Sequence, residues 1–547
     1  MTVEQSPYRV VVTTAFSSST GAMEASRLYH DGLAHLQAGQ LAKAVSSFRQ
    51  AIAINATLAD AHSHLGVALQ GLQRNDEAIG HYEQALALQS GDVGTLNNLG
   101  NALLALDRPD EASLQYERAL ALEPAHVAVH VNYANALHAA GRHEEAVRRY
   151  RQALTIDPGF TRAHMNLGNS LRDLGRLDEA IACYERALAI EPGYIAARMN
   201  LGKALQVADR GEEAIGCYEG VLGLEHGNAD ANFNLGLQYL SRGRLPEGWD
   251  HYEHRWNATG HVAPRAYPQA GWKGERVRGT LLIWGEQGVG DQILHSSMIA
   301  ELAAYADSIV LEVEPRLVPL FVRSFPTVKV VGLGPDLYDG RVDAHAPLGG
   351  LGRFLRPGLS AFPRRPQGYL VADDTRVRAL RSPLKADQRV VVGLSWISKN
   401  PEFGQRRSTR LSDFESLLRL PGCRFVDLQY GDTQIERAAI ERDMGICVER
   451  LDGIDNTNDI DGLAAAIGAC DFVVTVDNTT VHLAGALGKP TWVLVPHGHA
   501  RIWYWFAGRD DSVWYPRVCV RSQIKQQPWA DVISAVAKEL KHSIDSI

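Results

Sequence analysis

The sequence predicts two kinds of fold in one chain: an all-α array of helix pairs, followed by an α/β region of two doubly wound halves. Three observations predict it. A pattern of small and aromatic residues recurs every 34 positions from residue 25 to 256. An apolar run, a glycine-rich turn and a helical pattern follow each other at residues 281–302. Beyond them, short apolar runs alternate with helical patterns, which is typical of parallel sheets covered by helices.

Length and composition set the frame for these elements. The 547 residues are too many for one core, so two or three domains are expected. The net charge of -8 argues against a nucleic-acid or anionic-membrane partner. The six cysteines include no CxxC pair, and no apolar run is long enough to cross a bilayer. Residues 1–24 lack the apolar core of a secretory signal and are expected to form a flexible N-terminal arm, so a cytoplasmic protein is predicted.

The repeats are defined by three in-phase positions. The small residue is Gly32, Gly66, Gly100, Ala134, Gly168, Gly202 and Gly236, the alanine is Ala44, Ala78, Ala112, Ala146, Ala180 and Ala214, and the aromatic is Phe48, Tyr82, Tyr116, Tyr150, Tyr184 and Tyr218. Small residues let the two helices of a hairpin approach closely, and the aromatic is expected to fill the gap between neighbouring hairpins. Period and signature resemble the tetratricopeptide repeat, or TPR. The resemblance covers residues 25–256, six full repeats and a divergent seventh in which Gly248 replaces the alanine.

One polar position recurs on the first helix of the repeats. It is occupied by Asn98, Asn132, Asn166, Asn200 and Asn234, which we call the asparagine ladder. Asparagine is a mediocre helix former, so five in register need a reason. They either make hydrogen bonds between helices or line a concave face and bind the backbone of an extended acceptor peptide. We favour the second interpretation, because this half resembles the repeats of the nucleocytoplasmic O-linked N-acetylglucosamine transferase, which carry such a ladder.

Residues 257–279 lack periodicity and are expected to form a connector, held on a domain by Trp272. The segment that follows, "LLIWGEQGVGDQILHSSMIAEL", has the strand, glycine turn and helix of a nucleotide-binding fold. It lacks the lysine and hydroxyl of a P-loop, and its glycines read GxxGxG instead of the dinucleotide GxGxxG. A dinucleotide enzyme stays open, since the next strand ends at Glu312 and Glu314, where a ribose-binding carboxylate would lie.

Asp291 decides how this glycine loop is interpreted. A helix N-terminus carries about half a positive charge, and a phosphate bound there would face the Asp291 carboxylate. The loop is therefore a poor anion site. Asp291 either caps the helix or is a base, kept ionised by the helix end, that accepts a proton from a substrate hydroxyl.

The rest of the chain completes two α/β units, predicted at residues 280–387 and 388–547. The clearest later strands are "RVVVGLSW", "CRFVDLQY", "DFVVTVD" and "TWVLVP". Strands and helices alternate through both units, so each half is expected to be a doubly wound sheet, and the halves are expected to face each other across a cleft.

Two motifs carry a resemblance to the heptosyltransferase-like family of GT-B glycosyltransferases. They are "GDQILHSSMIAEL" in the first half and "DFVVTVDNTTVHLAGALGKPTWVLV" in the second. The resemblance implies that Asp291 is the base for the acceptor hydroxyl. It implies a donor-side role for Asp477, Asn478, Thr479, Thr480 and His482. Physical reasoning agrees, because Asn478, Thr479 and Thr480 would begin a helix whose first turn holds no carboxylate, a good cradle for a diphosphate.

The segment "SWISKNPEFGQRRSTRLSDF" joins these motifs. Its polar residues could contact the donor, and Ser395, Lys399 and Arg407 are assigned to that side. Lys399, Arg406, Arg407 and Arg410 are all candidates for neutralising the phosphate of the leaving group, and a solvated charge run is the alternative for some of them. The aromatic tail, with Trp503, Trp505 and Trp514, either walls a sugar pocket or packs the halves together. Neither a metal site nor a cofactor is expected.

Taken whole, the sequence is similar to bacterial TPR-containing protein and flagellin glycosyltransferases. The predicted function is transfer of a sugar from a nucleotide-sugar to a Ser or Thr hydroxyl of a protein held by the repeats. Two alternatives remain: a scaffold with an inactive transferase module, and a transferase acting on a non-protein glycan. The repeat array is absent from heptosyltransferases, which weakens the case for a lipopolysaccharide acceptor.

Overall fold

A computed structural model describes residues 20–260, 263–334, 338–364, 366–400, 403–525 and 527–546 of the chain. The chain divides into two compact units, Met1–Ala204 and Leu205–Ile547. Most of the predicted N-terminal arm lies outside the described residues. The first helix already begins at Thr20, so residues 20–24 belong to the repeats.

Fourteen helices occupy the described chain between residues 20 and 252, two for each of seven repeats. They are α1 (Thr20–Gln37), α2 (Leu41–Ile54), α3 (Ala59–Gly71), α4 (Asn75–Leu88), α5 (Val93–Ala105), α6 (Pro109–Leu122), α7 (Val127–Ala139), α8 (His143–Ile156), α9 (Thr161–Asp173), α10 (Leu177–Ile190), α11 (Ile195–Val207), α12 (Gly211–Leu224), α13 (Ala229–Ser241) and α14 (Leu245–Tyr252). The predicted helical array is confirmed.

The small residue and the aromatic of a repeat meet inside one hairpin. A Cβ added to Gly66 would lie 2.5 Å from the ring of Tyr82, and a Cβ on Gly100 would lie 2.5 Å from the ring of Tyr116. The aromatic therefore fills the space between the two helices of its own repeat. The ring also reaches the next hairpin, where Phe48 meets His64 at 6.1 Å and Tyr116 meets Tyr133 at 6.3 Å between centroids, so the expected contact between neighbouring hairpins is present as well.

The turn between the two helices of each repeat uses one left-handed residue. Positive φ angles recur at Gly39, Gln73, Asp107, Gly141, Gly175, Asp209 and Gly243, every 34 residues. Glycine adopts this conformation without steric cost, whereas Gln and Asp must strain to do so. The seven turns thus share one backbone geometry even where the sequence departs from glycine.

Eleven strands form the two sheets that the structure describes. They are β1 (Ala270–Gly271), β2 (Val277–Trp284), β3 (Ala306–Val313), β4 (Lys329–Gly332), β5 (Ala344–Pro347), β6 (Val390–Ser395), β7 (Cys423–Asp427), β8 (Val448–Arg450), β9 (Phe472–Val476), β10 (Thr491–Val495) and β11 (Val518–Ser522). The first sheet has the order β1-β5-β2-β3-β4 and the second the order β11-β10-β9-β6-β7-β8. All neighbouring strands are parallel.

The order of each sheet reverses once, and ligands of open α/β sheets bind beside such switch points. In the first sheet the chain runs outward from β2 to β3 and β4, then returns to the other side of β2 with β5. In the second it runs outward from β6 to β7 and β8, then returns beside β6 with β9. The glycine loop follows β2, and Asp477 follows β9. Both sequence motifs therefore lie at switch points.

The helices of the α/β region cover the sheets. They are α15 (Val289–Ser296), α16 (Val318–Ser324), α17 (Gly352–Leu355), α18 (Asp374–Leu384), α19 (Gly404–Arg407), α20 (Glu415–Leu418), α21 (Gln434–Met444), α22 (Ile460–Ala469), α23 (Thr479–Ala486) and α24 (Trp529–Asp545). Among the described residues, no helix combines the length and the apolar character needed to cross a membrane.

The last repeat shares a hydrophobic core with the α/β region. Leu240, Leu245, Trp249 and Tyr252 of α13 and α14 belong to the same buried cluster as strand residues such as Leu281. The predicted connector is held down as expected, since Trp272 is buried and β1 lies within it. The boundary that we placed at residue 257 is therefore not where the packing divides, because α12, α13 and α14 belong to the second compact unit.

Candidate functional site

A cavity of about 370 Å³ lies where the two switch points meet. The glycine loop, the start of α15 and the segment after β3 form one side, and α22 with the segments that follow β6, β7, β8, β9 and β10 forms the others. Of the residues assigned from sequence, it brings together Asp291, Lys399, Arg407, Asp477, Asn478, Thr479 and His482. Residues that are far apart in sequence thus converge on one space, as a binding site requires.

Asp291 is the third residue of α15. Helix α15 begins at Val289 after the N-cap Gly288, whose N–H donates to Asp291 Oδ2 at 3.3 Å. Asp291 therefore caps the helix from within its first turn and also lines the cavity. The two roles that the sequence left open are compatible, because a carboxylate has more acceptor positions than this single bond uses.

The surroundings of Asp291 raise its pKa to about 6. Burial is the main cause, and the nearby carboxylates of Asp477 and Glu286 act in the same direction. The Gly288 N–H and Arg407 oppose the rise. A carboxylate with a pKa close to neutrality can accept a proton and release it again, which is what general-base catalysis needs.

Asp477 is the most exceptional group of the site. It is buried, and neither carboxylate oxygen has a hydrogen-bond partner among the described residues. Its nearest counter-charge is Arg407, whose Nε lies 3.8 Å from Asp477 Oδ2. Burial raises the pKa of Asp477, and Arg407 and the nearby indole N–H of Trp505 lower it. A buried carboxylate without hydrogen bonds is costly, so its position at the cavity wall indicates a place for a ligand donor.

Asn478 caps α23 and ties it to β6. Its Oδ1 accepts from the Thr480 N–H at 2.9 Å, and its Nδ2 donates to Ser395 Oγ at 2.8 Å and to the Ile397 carbonyl at 3.0 Å. No acidic residue lies in the first turn of α23, as expected. The Thr480 N–H is used by this cap, however, so it is not free to bind a phosphate.

Ser395 and Thr480 do not line the cavity. Both are fully buried, and Ser395 Oγ donates to Gln429 Oε1 at 2.9 Å while it accepts from Asn478. The donor-contact roles assigned to these two residues therefore need correction. Ser395 joins the ends of two strands, and its side chain is fully buried with its O–H already donated within this network.

His482 is a buried neutral side chain at the back of the cavity. Its Nδ1 lies 2.9 Å from Tyr515 Oη and its Nε2 lies 3.1 Å from Tyr504 Oη. Burial, with a smaller effect of His295 and Arg407, lowers the pKa of His482 to about 3. A Cβ on Gly290 would come within 2.8 Å of this ring, which explains the last glycine of the loop: it lets α15 pack against α23.

Two of the four basic candidates face the cavity. Lys399 and Arg407 line it, whereas Arg406 and Arg410 are exposed and lie outside it. The sequence missed a third cation, Arg316, which follows β3 and lines the cavity from the first half. Arg316 bonds Glu314 Oε1 at 2.7 Å and the Thr457 carbonyl at 2.8 Å, and so bridges the two halves.

Other cavity residues carried little sequence signal. Tyr430, Asn456 and Thr457 lie in loops that follow strands, where no motif distinguishes them. Ile502 and Tyr504 belong to the aromatic tail, in which only the tryptophans were singled out. Their common property is position at the carboxyl ends of the parallel strands, which is visible only once strand order is known.

The tryptophans of the aromatic tail pack the molecule, whereas Ile502 and Tyr504 of the same tail line the cavity. Trp503, Trp505 and Trp514 are all buried. The Trp503 ring meets Trp249 of α14 at 5.3 Å and His295 of α15 at 6.3 Å between centroids. Both interpretations left open for this tail therefore hold in part: the three tryptophans pack, and Ile502 and Tyr504 form cavity wall.

The carboxylate that kept a dinucleotide enzyme open is not available. Glu312 is buried, and its Oε2 accepts from Tyr267 Oη at 2.5 Å. Glu314 is paired with Arg316. Neither group is placed to bind a ribose in the manner of a dinucleotide site.

The asparagine ladder makes bonds between repeats. Asn132 Nδ2 donates to Asn97 Oδ1 at 2.9 Å, Asn166 Nδ2 to Asn135 Oδ1 at 2.9 Å, and Asn200 Nδ2 to Asn169 Oδ1 at 3.0 Å. Asn234 Nδ2 instead donates to the Asp230 carbonyl of its own helix, and Asn98 is half-buried on α5. The interhelical interpretation is therefore correct for three members. Within the described part of the chain no ladder Oδ1 has a hydrogen-bond partner, so these oxygens keep their acceptor positions.

One cluster of possible metal ligands also escaped the sequence. His138, His143 and Asp173, on α7, α8 and α9, bring three ligand atoms within 4.8 Å of one another. Their spacing in the chain follows no metal-binding motif, because they come from three different helices. They belong to the repeats and do not line the cavity.

Comparison with known proteins identifies the repeats. Models of the tetratricopeptide repeat match residues 57–125, 97–159 and 161–194, and a further TPR model matches residues 32–73. The helices across this range are therefore TPRs, a class of array that offers extended protein-binding surfaces.

Similar proteins cover parts of the chain. Protein FlbA of Caulobacter vibrioides is 35% identical over 324 residues, which are 55% of this chain and 53% of FlbA. The chain thus spans about half the length of this curated relative. Pseudomonas aeruginosa PilF covers 38% of this chain and 95% of its own, with 21% identity and a TM-score of 0.34. YrrB, described as a TPR protein with an unusual peptide-binding site, covers 33% and 92%, with 21% identity and a TM-score of 0.29.

Proposed function

We propose that this chain is a glycosyltransferase that moves a sugar from a nucleotide-sugar to a Ser or Thr hydroxyl of a protein bound by its TPRs. The observation that carries the proposal is the meeting of the two motifs in one cavity. Asp291, a carboxylate whose pKa is raised to about 6, shares that cavity with the start of α23. A base and an anion-binding helix end are the two parts that such a transfer needs.

The cations of the cavity suit a phosphate leaving group. Lys399, Arg407 and Arg316 line its walls, and the first turn of α23 carries no opposing carboxylate. Positive side chains and a helix N-terminus stabilise the charge that develops as a nucleotide departs. The donor nucleotide is accordingly assigned to the segments after β6 and β9.

The proposed reaction balances without a further reactant. The acceptor oxygen forms a bond to the anomeric carbon of the sugar, and the bond from that carbon to the phosphate oxygen breaks. The hydroxyl proton passes to Asp291, and the electron pair of the broken bond leaves with the nucleotide. Asp477, whose oxygens accept no hydrogen bond within the described chain, would accept hydroxyl groups of the sugar.

The ladder supports the choice of a protein acceptor. The open Oδ1 atoms of its asparagines can accept from the N–H groups of an extended chain, whichever side chains that chain carries. A TPR array that recognises the backbone in this way would deliver many sequences to one reaction.

The test uses the full chain and two matched variants. Thermal unfolding is measured with ADP, GDP, UDP and CMP, because a ligand that binds only the folded state stabilises it by about 2.7 kcal/mol at 100 times its Kd. Lys399→Met should reduce the stabilisation by the preferred nucleotide. Arg410→Met removes an exposed cation outside the cavity and should not.

Transfer is then followed as nucleotide release from the matching nucleotide-sugars, with cell proteins as acceptors. Release that requires both an acceptor and Asp291 supports the proposal. Nucleotide binding without release from any nucleotide-sugar would favour a scaffold with an inactive module. No stabilisation by any nucleotide would remove the donor site altogether.

A further inference from the structure

The glycine loop is held in place by the end of the last repeat. Residues 253–257 form a one-turn 3-10 helix that follows α14, and Arg255 in it is 1% exposed. The loop residues Glu286 and Gln287 both bond to this part of the chain. The base Asp291 follows only four residues after Gln287.

The first connection is a buried ion pair. Arg255 donates from its Nη2 to Glu286 Oε1 at 2.9 Å and from its Nε to Glu286 Oε2 at 3.1 Å. The guanidinium lies between the rings of Tyr252 and Trp256, 4.6 and 4.1 Å from their centroids. Glu286 Oε1 also accepts from the Gly349 N–H at 3.0 Å. Two parallel bonds between planar groups fix orientation as well as distance.

The second connection holds a strained residue. Gln287 has a φ of +62°, a left-handed conformation that is costly for a residue with a side chain. Its Nε2 donates to Tyr252 Oη at 2.5 Å, and its carbonyl accepts from Gln292 Nε2 at 3.3 Å. Strain of this kind persists only where the surroundings fix the residue, and it is concentrated at functional sites.

The loop residues of these two connections lie close to Asp291 in the chain but make no hydrogen bond with its side chain. Glu253, Glu286, Arg255 and Tyr252 are the ionisable groups at this junction, and His295 of α15 lies beside Glu286. Glu286 makes only a small contribution to the raised pKa of Asp291, far behind burial. The influence of these residues on Asp291 therefore comes through their bonds to the loop.

We propose that Tyr252 and Arg255 are positioning residues: through Gln287 and Glu286 they hold the glycine loop in the left-handed form that turns Asp291 toward the cavity. This inference rests on the proposed function for its catalytic consequence, but the loop geometry can be tested without activity. The last repeat is then a part of the catalytic module as well as a part of the protein-binding array.

Two changes test the proposal in the full chain. Tyr252→Phe removes the acceptor of the Gln287 bond and keeps the packed ring. The double variant Arg255→Met and Glu286→Gln removes both charges of the buried pair together. Glu253 loses its bond from Arg255 Nη1, but its side chain is 33% exposed and can be solvated. The control is Arg356→Met with Glu301→Gln, which removes another two-bond pair with a buried arginine, at 2.7 and 2.9 Å, that does not touch the loop.

Hydrogen exchange of the amides at residues 285–291 is the first measurement, with no ligand present. In Tyr252→Phe we expect exchange about 2- to 12-fold faster, which corresponds to one hydrogen bond. The double variant should show a larger increase, and its control should show none. Unchanged exchange in a folded double variant would overturn the proposal.

Transfer kinetics are the second measurement. Both loop variants should lower kcat, by about 10²-fold if Asp291 is displaced by about 1 Å, with the donor KM unchanged. A fall in donor affinity without a fall in kcat would also contradict the positioning role. If the wild-type chain transfers no sugar, the proposed function fails, and the exchange experiment still decides whether the last repeat holds the loop.

Discussion

Replacing Asp291 with Asn isolates one charge in the site. Asparagine keeps an oxygen that can accept from the Gly288 N–H, so the start of α15 should stay intact. The variant loses the ability to accept a proton. General-base catalysis is worth about 10²–10⁴-fold, and we expect transfer to fall by that factor while nucleotide binding persists.

The same substitution should stabilise the fold at neutral pH. The pKa of Asp291 rises from 3.8 to about 6, so the folded state resists its ionisation. One pKa unit corresponds to about 1.4 kcal/mol, which gives up to about 3 kcal/mol for this group. Because Asp291 borders the cavity and stays partly hydrated, this figure is an upper bound.

The sign of the pH dependence follows from linkage. Below about pH 4 the carboxyl group is protonated in both folded and unfolded states and costs nothing. Between pH 4 and 6 the folded state holds a proton that the unfolded state has released, so stability falls as pH rises. Above pH 6 the full penalty is present. Asparagine does not ionise and has no such penalty. The free energy of unfolding of the variant, relative to that of the wild type, should therefore increase from pH 4 to pH 7.

Denaturant unfolding at pH 4 and pH 7.5 measures this difference. The control is Asp459→Asn at the N-cap of α22, where a hydrogen bond from Arg376 lowers the pKa of the carboxyl group. The ionised carboxylate of Asp459 stabilises the fold above about pH 4. Asp459→Asn should therefore lower the free energy of unfolding at pH 7.5 and have little effect at low pH. If Asp291→Asn behaves like Asp459→Asn, or retains full transfer, the reasoning about a desolvated base is refuted.

Three further outcomes are expected. In the wild type, kcat/KM should rise with pH through about 6 as Asp291 ionises, and a profile flat from pH 5 to 8 would exclude this base. Replacing Asn132, Asn166 and Asn200 together with Ala should weaken acceptor binding and also destabilise the array by about 0.5–1.5 kcal/mol per bond; unchanged affinity in pull-down assays would make the ladder purely structural. Gly290→Ala should destabilise by about 1–3 kcal/mol, since its Cβ would lie 2.8 Å from the His482 ring, and an unchanged melting temperature would contradict this packing.

The sequence was most informative where a pattern repeats or where a motif lies at a strand end. The repeats could be recognised because each one packs an aromatic ring into the space left where glycine lacks a side chain. The two motifs could be recognised because their glycine and aspartate residues lie at fixed positions after the end of a strand. Their meeting in one cavity followed from the strand order that α/β patterns imply.

The sequence was least informative about pairings between distant segments. Arg255 and Glu286 are 31 residues apart, and each looks like an ordinary surface charge until both are seen buried. Ser395 and Asn478 lie 83 residues apart, and their bond turned one predicted ligand contact into a structural one. The asparagine ladder could be recognised from its period. Which amide atom of each asparagine makes a hydrogen bond depends on the distance between helices, which the sequence does not give.

The shared core of α13, α14 and the sheets limits how such chains can be recombined. An exchange of repeat arrays between proteins of this layout would naturally be cut in the connector at residues 257–279. That cut would separate Trp249 from Trp503 and Arg255 from Glu286. It would also expose apolar surface that is buried in the intact chain. A graft of other repeats should therefore keep α12, α13 and α14 with the α/β region and vary only the repeats before them.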